Sequence, residues 1–532
     1  MAVASRPVTL VAALALLNVS LAFQNVWPTP AIRWEGELSI EFAATVLLLV
    51  AARAVVGAPS RAALHGLAAG WVLLSIGHYA DVTAPALYGR EINLYWDLRY
   101  MPDVAAMVIR AAPLWLVTAA TVAVAAVLTL LYRVFLWALA RVADATTRDG
   151  ERRALVVMAM LMLAIFAAQR TPGTDAWLPA VPVFSTPVVD TYARQARFVA
   201  GAMAKSATLA ASPVIDSDLT LVRGADVYVV FIEAYGAVAF ERPDIAPGLV
   251  AGRGRLDAAI RETHRTVVSA FVESPTFGGS SWLAHISLLS GVEVKGPETN
   301  ARLMVEKRDT LVTDFSRHGY RTVALMPGLR QRWPEGSFYG FDEIDDAPRL
   351  DYHGPEFGWF AIPDQFSLAK FDALIGNRPA RPPLFVFYPT ISTHFPFSPT
   401  PPYQPDWSRM FDAHPYDGPA IVRAYAKQPD WTHFAPGYVD AVSYTYDTLG
   451  GYLRGHADRD IVLILIGDHQ PAAAVSGEGA SWDVPVHVIA SRPKVLERLM
   501  ADGFRAGLTP ARPSLAHMHQ LLPMLLDAFG TR

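Results

Sequence analysis

The 532-residue chain contains no cysteine. That absence excludes a disulfide framework, a thiolate metal site, a cysteine nucleophile and a formylglycine made from cysteine. No basic stripe is present and the net charge is −4, which argues against a nucleic-acid partner. Charged residues are only 18% of the whole and are sparse in the first third, which is rich in Ala, Leu and Val. The remainder has globular usage with many Pro, Gly, Trp and Tyr. At this length more than one domain is expected.

Five apolar segments approach the roughly 20 residues a helix needs to cross a bilayer. They are Val8–Val26, Leu38–Val56, Ala62–Ala84, Ala111–Leu136 and the shorter Ala154–Ala168. Arg6, Arg53 and Arg61 lie on one side of this pattern, as do Arg133, Arg141, Arg148, Arg152 and Arg153. Glu35, Glu37, Asp97 and Asp103 lie on the other. The positive-inside bias therefore places the N-terminus in the cytoplasm and everything after Arg170 outside a cytoplasmic membrane. Ser20-Leu21-Ala22 also fits a signal-peptidase site, whose use would remove the first helix without changing this sidedness. Tyr88–Pro102, dense in Tyr, Trp and Arg, reads as an interfacial belt, with a lipid-headgroup contact as the sharper alternative. The expected organisation is a transmembrane domain over 1–170, a Pro- and Ser-rich linker over 171–216 with an amphipathic helix at Val189–Lys205, and a catalytic domain over 217–532.

In that last part strand-like runs alternate with helical patterns, which predicts an α/β domain with a mainly parallel sheet flanked by helices. The expected strands are Asp226–Ile232, Arg321–Met326, Pro383–Tyr388 and Asp460–Ile466. Parallel sheets place their chemistry beyond the carboxyl ends of the strands. Glu233 closes the first run and Asp468-His469 the last. One such carboxylate is usually a helix cap or a turn residue. Two strand ends and an imidazole together suit a divalent metal. Between them, Gly278-Gly279-Ser280-Ser281 precedes the helical pattern Trp282–Ser290. A serine there meets the free N–H groups and positive dipole of a helix start, although an N-cap serine needs no chemistry.

The spacing Ser281-Trp-Leu-Ala-His285-Ile-Ser-Leu-Leu-Ser290-Gly291 resembles the sulfatase signature. With Glu233, Asp468-His469 and the apolar N-terminal third, the chain resembles the membrane-anchored branch of the sulfatase/alkaline-phosphatase superfamily. That branch holds lipoteichoic acid synthase, phosphoglycerol transferases and phosphoethanolamine transferases. The resemblance implies that Glu233, Ser281, Asp468 and His469 bind one divalent ion, Mn or Zn ahead of Mg, with Ser281 as nucleophile and its neighbour Ser280 as the alternative. His394, in Thr393-His394-Phe395-Pro396-Phe397, resembles the substrate-contacting histidine of the lipoteichoic acid synthase group. Read from the residues, His394 follows a strand and offers a group to protonate a leaving oxygen or bind phosphate. Arg332, beside Trp333, matches the approximate place of a phosphate-binding arginine. Trp333, Tyr339 and Trp359 suggest a sugar-facing cleft.

Two departures matter. The lipid-phosphate transferases usually present Thr where this chain has Ser281. Leu283 and His285 stand where the formylglycine motif needs Pro or Ala and Arg. The second departure favours an unmodified serine attacking phosphorus, with His285, one turn on, contacting substrate or packing. The reading is a transferase moving a phosphoglycerol or phosphoethanolamine-type group from a phospholipid donor to an extracytoplasmic glycan or lipid acceptor. The alternative is a phosphodiesterase or sulfatase-like hydrolase using the same site.

Overall fold

The computed structural model describes residues 6–95, 97–98, 101, 105, 114–170, 184–204, 209–330, 333 and 336–531. Arg332, residues 171–183 of the expected linker, and Trp96 and Asp103 of the outer loops lie outside the described residues. The chain divides into two compact units, Met1–Ser206 and Ala207–Arg532.

In the first unit, helices occupy each of the five apolar segments: α1 (Arg6–Val19), α2 (Ile40–Val55), α3 (Arg61–Tyr88), α4 (Leu114–Ala145) and α5 (Asp149–Gln169). A further helix, α6 (Val188–Ala204), covers the expected amphipathic stretch. Ser39 and Ser60 cap α2 and α3 by accepting from Phe42 and Ala63 N–H groups. Small residues such as Ala13, Ala43, Ala68, Ala138 and Ala159 line the packed interior, where helices approach closely. Among the described residues one helix, α4, is long and apolar enough to cross a membrane. The first two helices are shorter, at 14 and 16 residues. The last opens on Asp149, Glu151, Arg152 and Arg153.

The second unit is built on a nine-stranded sheet. Its long strands are β1 (Asp226–Ile232), β2 (Thr266–Glu273), β3 (Arg321–Met326), β4 (Glu343–Asp346), β5 (Leu384–Pro389), β6 (Ile461–Gly467) and β7 (Asp483–Ala490). Two-residue strands β8 (Arg505–Ala506) and β9 (Ala516–His517) complete it. The order is β8-β2-β7-β6-β1-β5-β3-β4, with β9 on β2. From β4 to β6 all neighbours are parallel, whereas β7 runs antiparallel to both β6 and β2. The mainly parallel sheet is therefore present, with one long antiparallel strand inserted near an edge.

Side-chain alternation divides the core between the two faces. Tyr228, Val230 and Ile232 of β1, with Leu463 and Leu465 of β6, pack on one face. Val227, Val229 and Phe231, with Val462, Ile464 and Ile466, pack on the other. Because both faces are covered by helices, β1 and β6 are buried throughout, which is why they read as unbroken apolar runs. Asp226 pairs with Ile461 and Ile232 with Gly467, so the two carboxyl ends finish level. That register puts Glu233 beside Asp468.

Candidate active site

The two strand ends interlock through their backbones. Ala234 donates its N–H to Asp468 Oδ1 at 2.8 Å, and the His469 N–H donates to the same oxygen at 2.7 Å. A Cβ on Gly467 would lie 1.8 Å from the Tyr235 carbonyl oxygen, so only glycine fits this close approach. On the facing segment, the Gln470 side chain fills the space a Cβ on Gly236 would need. Tyr235 is fixed in turn: its hydroxyl meets Tyr446 Oη at 2.7 Å and His487 Nε2 at 3.2 Å.

The Gly-Gly-Ser-Ser turn carries positive φ at Gly278 (65°), Gly279 (144°) and Ser280 (63°). Thr276 Oγ1 donates to the Gly279 carbonyl at 2.6 Å, and the Gly278 N–H donates to Gln470 O at 3.1 Å. The turn is thereby tied to the Asp468–Gln470 segment. Helix α7 (Ser281–Ser290) starts immediately after it, with Ser280 as an N-cap that makes no side-chain cap. Free first-turn N–H groups at such a helix start suit a phosphate oxygen.

Ser281 Oγ donates to Glu233 Oε2 at 2.9 Å and lies 3.2 Å from His469 Nε2. Ser280 makes neither contact among the described interactions. His469 Nε2 lies 3.4 Å from Glu233 Oε1 and 3.6 Å from Asp468 Oδ2. His469 Nδ1 is 2.7 Å from the Gln470 carbonyl. A carbonyl only accepts, so Nδ1 carries a proton and Nε2 is the nitrogen turned to the site. Glu233, Asp468 and His469 each offer one ligand atom, all within 4.8 Å of one another. One buried and one partly buried carboxylate and an imidazole nitrogen gather around Ser281 Oγ, a donor set that fits a single divalent ion.

The electrostatics show how much the three groups lean on one another. Burial, and next the Glu233 charge, push the Asp468 carboxyl well above the usual carboxylate range. Burial would raise Glu233 too, but the hydrogen bond and charge of His469 outweigh it and hold that carboxyl low. For His469 burial opposes the charge, yet Asp468 and Glu233 raise it to about 9.

His394 is among the groups whose charge holds Glu233 low. Its ring stacks on Trp359 (centroids 5.6 Å apart, planes at 22°) and meets the edge of Phe360 at 5.0 Å. His394 Nδ1 lies 2.7 Å from the Phe395 carbonyl, which leaves Nε2 available. His285 is buried between Phe231 (4.5 Å) and Phe387 (5.2 Å), and its Nε2 has no hydrogen-bond partner. Burial lowers it to about 3, so it stays neutral. Trp333 packs on Tyr339 at 5.2 Å, and Tyr339 itself is buried in the core beneath the sheet. Of the three aromatic residues expected to face a cleft, Trp359 stands against His394.

Sequence reasoning passed over the supports of this site. Thr390 Oγ1 accepts the Glu233 N–H at 3.2 Å, and Ser274 Oγ donates to the Asp468 carbonyl at 2.5 Å. Gln470 holds the Val238 N–H and the Ser481 carbonyl. Their only signal was position, one to six residues from a strand end or from the serine turn.

No curated protein matches the sequence. Among solved structures, the lipoteichoic acid synthase LtaP from Listeria monocytogenes is similar, at 14% identity, over 62% of this chain and 79% of that one, with a TM-score of 0.40. The integral membrane protein lipooligosaccharide phosphoethanolamine transferase A from Neisseria meningitidis is similar at 15% identity over 98% and 96%, with a TM-score of 0.48. Streptococcus pyogenes phosphoglycerol transferase GacH, in complex with sn-glycerol-1-phosphate, is similar at 11% identity over 63% and 80%, with a TM-score of 0.36. The model of the sulfatase family matches residues 294–488, a segment that holds His394, Asp468 and His469 and begins after Glu233 and Ser281. Over residues 294–488 the chain is thus similar to the sulfatase family.

Proposed function

We propose that the chain is a membrane-bound, metal-dependent phosphotransferase in which Ser281 is the nucleophile. The observation that carries this reading is Ser281 Oγ, at an uncapped helix start, within hydrogen-bond reach of both Glu233 and His469. Glu233, Asp468, His469 and Ser281 would hold one divalent ion, Mn or Zn ahead of Mg. When bound, such an ion lowers the pKa of the serine hydroxyl and screens a phosphoryl oxygen.

Ser281 Oγ attacks the phosphorus of a phospholipid headgroup diester as its proton passes to Glu233 Oε2, the oxygen it already donates to. The bond to the diacylglycerol oxygen breaks, and a protonated His394 Nε2 supplies that oxygen with a proton. A phosphoglycerol or phosphoethanolamine unit is then esterified to Ser281. An acceptor hydroxyl on a glycan or lipid gives its proton to His394, attacks phosphorus and releases Ser281 Oγ, which takes its proton back from Glu233. The α7 N–H groups face the phosphoryl oxygens throughout, and Arg332 and Trp333 join them as substrate contacts. Residues 1–170 form the multi-pass membrane domain, 171–216 the linker and 217–532 the extracytoplasmic catalytic domain.

The test uses the full chain in vesicles with headgroup-labelled phosphatidylglycerol or phosphatidylethanolamine. Label on a glycan or lipid acceptor is the expected result, with label trapped on Ser281 at short times. Label released free would instead make water the acceptor and the protein a phosphodiesterase. Full turnover by Ser281→Ala on every donor would remove the nucleophile assignment.

A further inference from the structure

Asp364 is a buried carboxylate, 1% exposed, in the first turn of helix α8 (Asp364–Phe371). Its Oδ1 accepts from the Ile391 N–H at 2.9 Å and from the Tyr388 hydroxyl at 3.0 Å. Its Oδ2 accepts from the Ser392 N–H at 3.1 Å, and its own N–H donates to Ser392 Oγ at 3.2 Å. All of these partners belong to the end of β5 and the turn that follows. Burial raises the Asp364 carboxyl, while the Ile391 and Ser392 bonds work against it.

That turn has a functional group at each end. At one end Thr390 takes the Glu233 N–H on its hydroxyl and donates its own N–H to the Phe231 carbonyl at 2.8 Å. At the other the His394 N–H closes on the Ile391 carbonyl at 3.2 Å, the same residue whose N–H Asp364 holds. The His394 ring is then clamped by Trp359 and Phe360. Asp364 is therefore the fixed point, inside the core, from which the His394 backbone is placed.

The chemistry requires a carboxylate. Two backbone N–H groups converge on Asp364, and each needs an acceptor. An amide offers one oxygen and one NH2, so in Asp364→Asn either Ile391 or Ser392 would face a donor and the turn would move.

We propose that Asp364 is a positioning residue that sets the place of His394 Nε2 against the phosphodiester. The inference rests on the reading of His394 as the group that meets the leaving oxygen. The experiment is a double-mutant cycle on the full chain in vesicles, with headgroup-labelled phosphatidylglycerol or phosphatidylethanolamine, whose leaving oxygen needs a proton, as the probe and thermal unfolding as the check on folding. Asp364→Asn is expected to lower kcat by ~10–100-fold, the usual cost of losing the partner that orients a functional group. In a His394→Gln background the same change is expected to cost less than ~3-fold, because residues acting as one unit are not additive. Losses that multiply would overturn the inference and leave the role of His394 standing. A fully active His394→Gln would overturn that role, and the inference with it. Should Asp364→Asn fail to fold, Tyr388→Phe removes one donor from the same carboxylate. It is expected to cost ~3–10-fold alone and almost nothing beside His394→Gln, and multiplicative losses would again overturn the inference.

Discussion

Gly467→Ala probes the interlock of the two strand ends with a single methyl group. The new Cβ would stand 1.8 Å from the Tyr235 carbonyl oxygen, whereas real contacts begin near 3.0 Å, so ~1.2 Å of movement is required. Retreat of the strand toward β7 is blocked, because Val484 Cβ already lies 3.0 Å from the same point. Tyr235 cannot recoil freely either, with its hydroxyl held by Tyr446 and His487. The displacement therefore falls on Glu233 and Ala234. Overpacking of this kind costs ~1–3 kcal/mol. Losing the Ala234 N–H bond to the Asp468 carboxylate adds ~1.5–3 kcal/mol, for ~2.5–6 kcal/mol in all. Moving Glu233 by ~1 Å should lower kcat by ~100-fold. Tryptophan-fluorescence melting and bis(p-nitrophenyl) phosphate turnover measure the two effects. Gly254→Ala is the matched control: nothing lies within 4 Å of its Cβ in a helix, so it should stabilise by ~0.5–1 kcal/mol. If Gly467→Ala melted and turned over like the parent, the close approach of the strand ends would be wrong.

Removing divalent ions with a chelator should lower turnover by at least ~100-fold, with Mn or Zn restoring it. Activity untouched by exhaustive chelation would refute the metal reading. His487, buried and lowered to about 3 by its burial, binds fewer protons folded than unfolded between that value and about 6.5. Its contribution to stability is thus complete above pH 6.5 and lost as pH falls toward 3, by ~1.4 kcal/mol per pH unit. Subtracting the melting curves of His487→Gln from those of the parent should isolate that slope, and parallel curves would contradict it. A reporter fused after Arg170 should be active only outside the cytoplasm, and cytoplasmic activity would mean that α5 does not span.

Much of the site-bearing sheet was legible because β1 and β6 are buried on both faces. β1 and β3 fall where the apolar runs place them, while β5 and β6 each sit one residue later than Pro383–Tyr388 and Asp460–Ile466. What escaped were strands whose residues contradict the usual pattern. β7 carries Pro485 and His487, and β2 carries Ser269, which bonds His487 Nδ1 at 2.6 Å. A proline and a buried polar pair are satisfied there only by tertiary partners. The edge strand β4, Glu-Ile-Asp-Asp, is held by pairing with β3 and by Arg321 and Arg349, and no propensity would select it. At the site, residue types and strand ends pointed to Glu233, Asp468 and His469, while Ser281 was singled out by the family resemblance. The buried supports did not show, because Asp364 and Thr390 look like ordinary polar residues until the turn they hold is seen.

The pairing of β1 with β6 also orders events in time. Asp468 Oδ1 meets a backbone N–H 234 residues earlier, and His469 meets a serine 188 residues earlier. A growing chain displays Glu233 and Ser281 long before the strand that completes their cluster exists. Closing so large a loop is slow and is rewarded only once β6 docks. Any polypeptide that stops short of residue 469 consequently lacks the imidazole that completes the cluster with Glu233 and Asp468.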